Sequence, residues 1–274
     1  MGIPTIDISL FYEFDDLADE SLYSDPAAER RKAINALLNS ASTYGAFKIT
    51  GHDIPGSTIQ RVFESSVEFF DLHKHIKKSA AGPRLKNGRL RGYRGPEVTD
   101  RDTSESFVIG PTSDRQAPTP WPVGVRGDIL QMKMQPFSRD CANLHHDLLH
   151  ILEEALELWN NELLSRWPAP DGEVHCEYNP AAPRTTSTTP TEHLERLVSQ
   201  VESQGARTML ALAFQDNASE EVVVVCGSTV RKWIQVRLGP TAGKSRSLQI
   251  EEDGQPTKYS VSYVGYEDTA AFVT

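Results

Sequence analysis

The sequence predicts an α+β fold, with helices gathered in the first half and an all-β core in the second. Two observations carry this. Apolar residues recur at helical spacing in several windows between residues 26 and 166, as in Ala33, Ile34, Leu37, Leu38 and Ala41. After Pro168 the pattern changes to short apolar runs: EVHCEY, TMLALAF, EVVVVC, KWIQVRL, SLQIE and KYSVSYV. A chain of 274 residues is long enough for one large domain, or for a core with a helical layer attached.

Taken in order, PTIDIS (4–9) reads as a short strand. A helix follows over 26–43, with Asp25 as N-cap, Pro26 at the first helical position and Gly45 ending the pattern. AFKIT is a strand, residues 51–56 are a turn, and Ser57 opens an amphipathic helix whose apolar side is Ile59, Val62, Phe63, Val67 and Phe70. From Lys74 to Arg94 the chain is basic and glycine-rich, which reads as a solvated loop or as a lid at a pocket edge. SESFVIG is a strand, and a proline-rich loop runs from Pro111 to Pro122. A long helix is expected over 126–166, bent or interrupted at Pro136, with Leu149, Leu152, Leu156 and Leu163 in its buried stripe. Between the first two late strands, TEHLERLVSQVES reads as a further amphipathic helix.

The formal net charge of −10 argues against nucleic-acid partners, because an acidic surface repels phosphate. Cys141, Cys176 and Cys226 are odd in number and far apart, which gives neither a disulfide framework nor a zinc knuckle. The expectation is reduced thiols in a cytoplasmic protein. The start MGIPTIDISLFYEF lacks a basic region ahead of an apolar one, and no apolar run approaches the ~18 residues a membrane span needs.

Several segments then fall into one order: IPTIDIS, ASTYGAFKITGHDIP, VFESSVEFFDLHKHIKK, RGYRGPE, SESFVIGP and WPVGVRGDIL. Together they resemble the amino-terminal half of the 2-oxoglutarate/Fe(II) oxygenase superfamily, in its isopenicillin N synthase-like branch. The resemblance covers about residues 3–164. It implies a helical amino-terminal layer packed on a reduced double-stranded β-helix, or jelly roll. On that division residues 1–125 are the dioxygenase-like amino-terminal region, 126–168 the long helix, and 169–274 a degenerate jelly roll. The hallmark strand and turn appear as Gly45, Ala46, Phe47 and His52, Asp53, Ile54, Pro55. The resemblance makes His52 structural, bonding backbone groups of its turn.

The family would use Fe(II) and 2-oxoglutarate, holding iron with a His-x-Asp pair and a distant His on one face of the metal. Aligned on the strand that ends at Gln215 and Asp216, those positions carry Gln204 and Ala206, and the distal one carries Leu248. No histidine follows His193. The His193–Glu195 pair sits in a predicted helix, where residues two apart point about 200° from each other. His146 and His150 share a helix face but lack an accompanying general base. No metal ligand and no cofactor are therefore predicted for this chain, and no catalytic residue is assigned. By resemblance, Lys258 and Ser260 stand where the family's Arg-x-Ser binds the co-substrate carboxylate, and Arg91, Tyr93 and Tyr178 stand by the substrate pocket. Tyr93 is expected to face that pocket and Arg91 to be half-buried.

Only eight residues separate WIQVRL from SLQIE, too few for the further strand pair the family places there. Three functional readings remain open. The chain is a diverged oxygenase-family protein acting on a small molecule in secondary-metabolite biosynthesis without the iron triad, or a non-catalytic ligand-binding pseudoenzyme, or an ordinary iron oxygenase from which a segment is missing. The expected partner in each case is a small molecule, with no nucleic acid and no membrane.

Overall fold

The computed structural model describes residues 3–12, 26–85, 90–96, 104–111, 114–115, 117–158, 161–167, 172–180, 208–215, 220–238 and 258–266. Among them, nine strands form one sheet in the order β1-β2-β8-β7-β9-β6-β5-β4-β3. The strands are β1 (Thr5–Asp7), β2 (Ala46–Thr50), β3 (Ala81–Arg84), β4 (Leu90–Arg94), β5 (Glu105–Ile109), β6 (Gly172–Tyr178), β7 (Thr208–Phe214), β8 (Val222–Cys226) and β9 (Tyr259–Tyr266). Every neighbouring pair is antiparallel except β1 with β2. The mixed α+β architecture expected from the sequence is present, with an antiparallel rather than a parallel α/β core.

The helices among the described residues pack on one side of this sheet. They are α1 (Pro26–Tyr44), α2 (Gly56–Phe70), α3 (Lys74–Ser79), α4 (Val125–Ala155) and α5 (Ser228–Leu238). The reason lies in the strand alternation. Phe107, Ile109, Val174, Cys176, Leu210, Leu212, Phe214, Val224 and Val261 all point to the helical side, where they meet Leu37, Phe63, Phe69, Leu148 and Leu152 in one core. The opposite face has its own smaller apolar cluster of Ala46, Ala211, Ala213, Val223, Val225 and Val264. Small and β-branched residues dominate there. The expected buried stripe of Leu149, Leu152, Leu156 and Leu163 is fully buried.

Two glycines shape the amino-terminal half. Gly51 has φ +71, and a Cβ there would lie 2.1 Å from Asp7 Oδ1, so the turn after β2 closes directly onto β1. In that turn His52 Nδ1 accepts a hydrogen bond from the Ile54 amide at 3.2 Å. Burial lowers the His52 pKa. Gly92 has φ +74 and packs against the Ala80 carbonyl, 2.1 Å from where a Cβ would stand. Its left-handed backbone separates Arg91 from Tyr93, whose contacts lie on different sides of the sheet.

Three expectations need correcting. The basic stretch 74–94 is no loop in its described part: it is α3 followed by the β3–β4 hairpin, and Lys77 is buried rather than solvated. The Lys77 ammonium donates to Phe70 O at 2.8 Å and to Glu105, which offsets its desolvation.

The long helix stops at Ala155, not near residue 166, although it passes through Pro136 unbroken. Glu157 turns left-handed at φ 50, and the Leu158 amide donates to Glu153 O while the Glu157 amide donates to Glu154 O. This Schellman pairing closes the helix end. Glu153 Oε1 then accepts from the Leu163 and Leu164 amides and starts the 3-10 turn Leu164–Arg166.

Finally, KWIQVRL is helical, inside α5. Val230 and Ile234, four residues apart, are fully buried where α5 packs on β7 and α1. The alternation Trp233-Ile234-Gln235-Val236 satisfies a strand pattern as well, but Val236 points to solvent. SLQIE, the helix over TEHLERLVSQVES and the Asp25 cap lie outside the described residues.

The three cysteines are free and buried. Burial pushes the Cys176 and Cys226 thiols up to about 12, so neither is an active thiolate near neutral pH. No helix among the described residues is long and apolar enough to cross a membrane.

Candidate functional site

Strand β6 reads Gly-Glu-Val-His-Cys-Glu-Tyr. Its apolar residues Val174, Cys176 and Tyr178 face the helices, so Glu173, His175 and Glu177 face the other way. Cross-strand pairing extends this face, which is helix-free among the described residues. Glu177 lies between Ser106 of β5 and Ser260 of β9, and His175 lies between Val108 and Ser262. A polar lane thus runs down the middle of the sheet, between Arg94 and Ser106 on one side and the apolar Ala213 and Val223 on the other.

At the inner end of the lane is a buried ionic cluster. Glu173 and Arg91 are both about 1% exposed at the side chain and form an ion pair. The guanidinium also lies 3.6 Å from Asp114. The Tyr266 hydroxyl donates to Glu173 Oε2 at 3.2 Å, and His175 Nε2 lies 3.3 Å from the same oxygen. Arg91 has a place for its planar head because residue 110 is glycine: a Cβ there would sit 2.3 Å from Arg91 Nε.

A second cluster lies on the helical side. The Tyr93 hydroxyl donates to Glu105 Oε2 at 2.8 Å, and Lys77 donates to the same oxygen. Lys77 also stands 5.6 Å from the centre of the Tyr93 ring. Burial, then the Glu105 hydrogen bond and charge, raise the Tyr93 pKa well above its ordinary value. Tyr178 stacks on Tyr259 at 5.0 Å and on Phe70 of α2 at 5.8 Å. Tyr93→Phe is expected to lower stability by about 1.5–3 kcal/mol, the worth of a hydrogen bond to a charged group, read as a shift in the denaturant midpoint without a change in slope.

The five residues singled out in the sequence therefore divide. Tyr93 and Tyr178 belong to the helical side. Ser260 lies half-buried on the helix-free face, and Lys258 is exposed just ahead of β9, its carbonyl accepting from the Asn179 amide at 2.9 Å. Arg91, expected to be half-buried, is fully buried in the ion pair. Sequence reasoning missed Glu173, His175, Ser262 and Tyr266. The signal was the strict alternation of GEVHCEY, which puts three ionisable side chains on one face of a strand.

Residues 3–124 match the family model of the non-haem dioxygenase in morphine synthesis N-terminal domain. Residues 3–124 thus carry the amino-terminal domain of the 2-oxoglutarate/Fe(II) oxygenase superfamily. The chain is 26% identical to the 2-oxoglutarate-dependent dioxygenase gloF of Glarea lozoyensis, over 89% of this chain and 85% of that protein. With the 2-oxoglutarate-dependent dioxygenase frbA of Dothideomycetidae sp. the identity is 27%, and the match spans 68% of this chain but only 57% of that protein. The fold is that of a full-length Neurospora crassa protein solved in complex with alpha-KG: TM-score 0.68 at 21% identity, covering 99% of this chain and 90% of that one.

A third relative, the 2-oxoglutarate-dependent dioxygenase ucsF of Acremonium sp, is 23% identical and aligns with all of this chain and 91% of its own length. That alignment runs 319 positions against the 274 residues here, so at least 45 positions (319 less 274) have no counterpart in this oxygenase-family chain.

Among the described residues, no group of three or more His, Cys, Asp or Glu side chains is placed to hold a metal ion. Gln204, Ala206, Leu248 and the His193–Glu195 pair lie outside the described residues. Of the three aligned side chains, only the Gln204 amide carries a donor atom.

Proposed function

We propose that this oxygenase-family chain acts on a small molecule in secondary-metabolite biosynthesis without the family's ferrous iron. The absence of any histidine beyond His193 carries the reading, because the last strands then have no residue to supply the distal ligand. One neutral amide at Gln204 does not hold a labile divalent ion against water. Ligand binding falls to the helix-free face, where Ser260 offers a hydroxyl and Lys258 a cation to a carboxylate. Lysine gives a point charge where the family's arginine gives a two-pronged clamp, so the carboxylate is held with less geometric definition. The relatives' printed names and the alpha-KG complex of the Neurospora crassa protein make a 2-oxoacid the first ligand to try.

The test is anaerobic addition of ferrous iron and 2-oxoglutarate to the purified protein. The expected result is calorimetric binding of 2-oxoglutarate that is independent of iron, with no visible charge-transfer band. Stoichiometric iron together with oxoglutarate-dependent O₂ consumption would overturn the proposal. The missing 45 positions favour one second reading, an ordinary iron oxygenase from which a segment has been lost in the reading of the gene. Sequencing the native transcript across residues 180–207 and 238–250 decides it. Recovered His-x-Asp and His codons would replace the iron-free reading.

A further inference from the structure

His175 and Glu173 leave the same face of β6, and the face is the helix-free one. His175 Nε2 lies 3.3 Å from Glu173 Oε2. At that distance Nε2 makes no aligned hydrogen bond. The carboxylate is held at its other oxygen by the Arg91 guanidinium and at Oε2 by the Tyr266 hydroxyl, 3.2 Å away. Glu173 is 1% exposed and has no room to turn aside. A fixed carboxylate facing one ring nitrogen keeps the proton on that nitrogen, which leaves the other as the basic atom. That other atom, His175 Nδ1, has no hydrogen-bond partner among the described residues.

The surroundings suit an oxoacid. Ser262 is the cross-strand partner of His175, and Ser260 is the partner of Glu177, the next residue along on the same face. Lys258 stands four residues before Ser262, about 13 Å along the strand, a span that a lysine side chain and a short dicarboxylate together bridge. Among the described residues, the charged and titratable groups facing His175 are Glu173 and Glu177 on its own strand, Arg91 from β4, and Tyr266 from β9. The flanking β5 residues Ser106 and Val108 carry no charge.

We propose that His175 is a general base and Glu173 its positioning residue, for proton transfer at the carbon beside the carbonyl of a small 2-oxoacid. The proposal rests on the iron-free binding reading above. In the step, His175 Nδ1 takes the α-proton. The C–H electron pair becomes the C–C double bond, and the carbonyl oxygen takes up the negative charge as an enolate. Return of a proton to carbon from the imidazolium restores the ketone. Nothing is oxidised or reduced, and no co-reactant is consumed.

The probe is 2-oxoglutarate in D₂O with the whole chain and no added metal, followed by proton NMR of the C3 methylene. The expected result is loss of that signal about a hundredfold or more faster than in buffer, abolished by His175→Gln. The rate should rise with pH along the curve of a single deprotonation. Glu173→Gln should slow exchange and move that rise to lower pH, because the imidazolium loses the carboxylate that stabilises it. A merely structural Glu173 would leave the pH profile where it was.

Binding by calorimetry without faster exchange overturns the base and leaves the binding reading standing. No binding overturns both. Exchange that survives His175→Gln also overturns the base. If either variant does not fold, the wild-type pH profile decides: exchange that fails to follow a single deprotonation refutes the role of His175.

Discussion

Arg91→Met is expected to lower stability by about 3–5 kcal/mol, the usual consequence of removing one partner of a buried ion pair. The guanidinium and the Glu173 carboxylate are each about 1% exposed, and the methionine leaves Glu173 as an uncompensated charge. Tyr266 and His175 still reach the same carboxylate, but neither supplies a permanent positive charge. The double variant Arg91→Met with Glu173→Leu should recover most of the loss, since an apolar pair of similar volume often matches a buried ion pair. Urea denaturation of the two single variants and the double variant measures the coupling directly. Additive losses would show that the pair does not stabilise the fold.

The second large effect is acid sensitivity centred on His145. This side chain of α4 is completely buried, with its ring 4.4 Å from the Trp167 ring and 5.9 Å from that of Tyr263. Gly265 of β9 lies beneath it, and a Cβ there would meet His145 Nε2 at 2.1 Å. Neither ring nitrogen has a hydrogen-bond partner among the described residues. Burial, with the charge of His146 adding, lowers the His145 pKa to about 3.

The folded chain therefore keeps this ring neutral between about pH 6.5 and 3, whereas the unfolded chain protonates it below about pH 6.5. The unfolded state binds the extra proton, so stability falls as the pH drops through that window. The loss is on the order of 1 kcal/mol per pH unit, or about 3 kcal/mol by pH 4. His145→Met should flatten this part of the profile relative to the wild type. The check is the difference between the two stability–pH curves. Parallel curves from pH 7 to pH 4 would refute it.

Much of the fold was legible because local signals and tertiary packing agree. AFKIT and TMLALAF are strands with the bounds read from the sequence, and α1 begins at the expected proline. Leu149 and Leu152 of α4 are buried because helical spacing puts them on one side, whereas Leu156 caps the helix and Leu163 is buried beyond its end. Where the signals conflict, the sequence pattern misleads. KWIQVRL fits both periods, and the packing of Val230 and Ile234 on α1 and β7 selects the helix. The basic segment reads as a solvated loop because a run of lysines and arginines interspersed with glycines looks hydrated. Glu105 and the Phe70 carbonyl, neither of them part of that segment, are what allow Lys77 to be buried.

The site divides in the same way. Chemical inventory is read directly from the sequence: the family's amino-terminal segments, the lack of any histidine after His193, and side chains without a donor atom at Ala206 and Leu248. Side-chain identity does not depend on the fold, so what each position can donate is visible at once. Which groups share a face is set by the tertiary structure. Tyr93 and Tyr178 pack with the helices, and Ser260 lies across the sheet from them. Arg91 of β4 meets Glu173 of β6 although β5 lies between their strands. Strand order and cross-strand register set these encounters, and both arise from contacts distant along the chain, which no local pattern encodes.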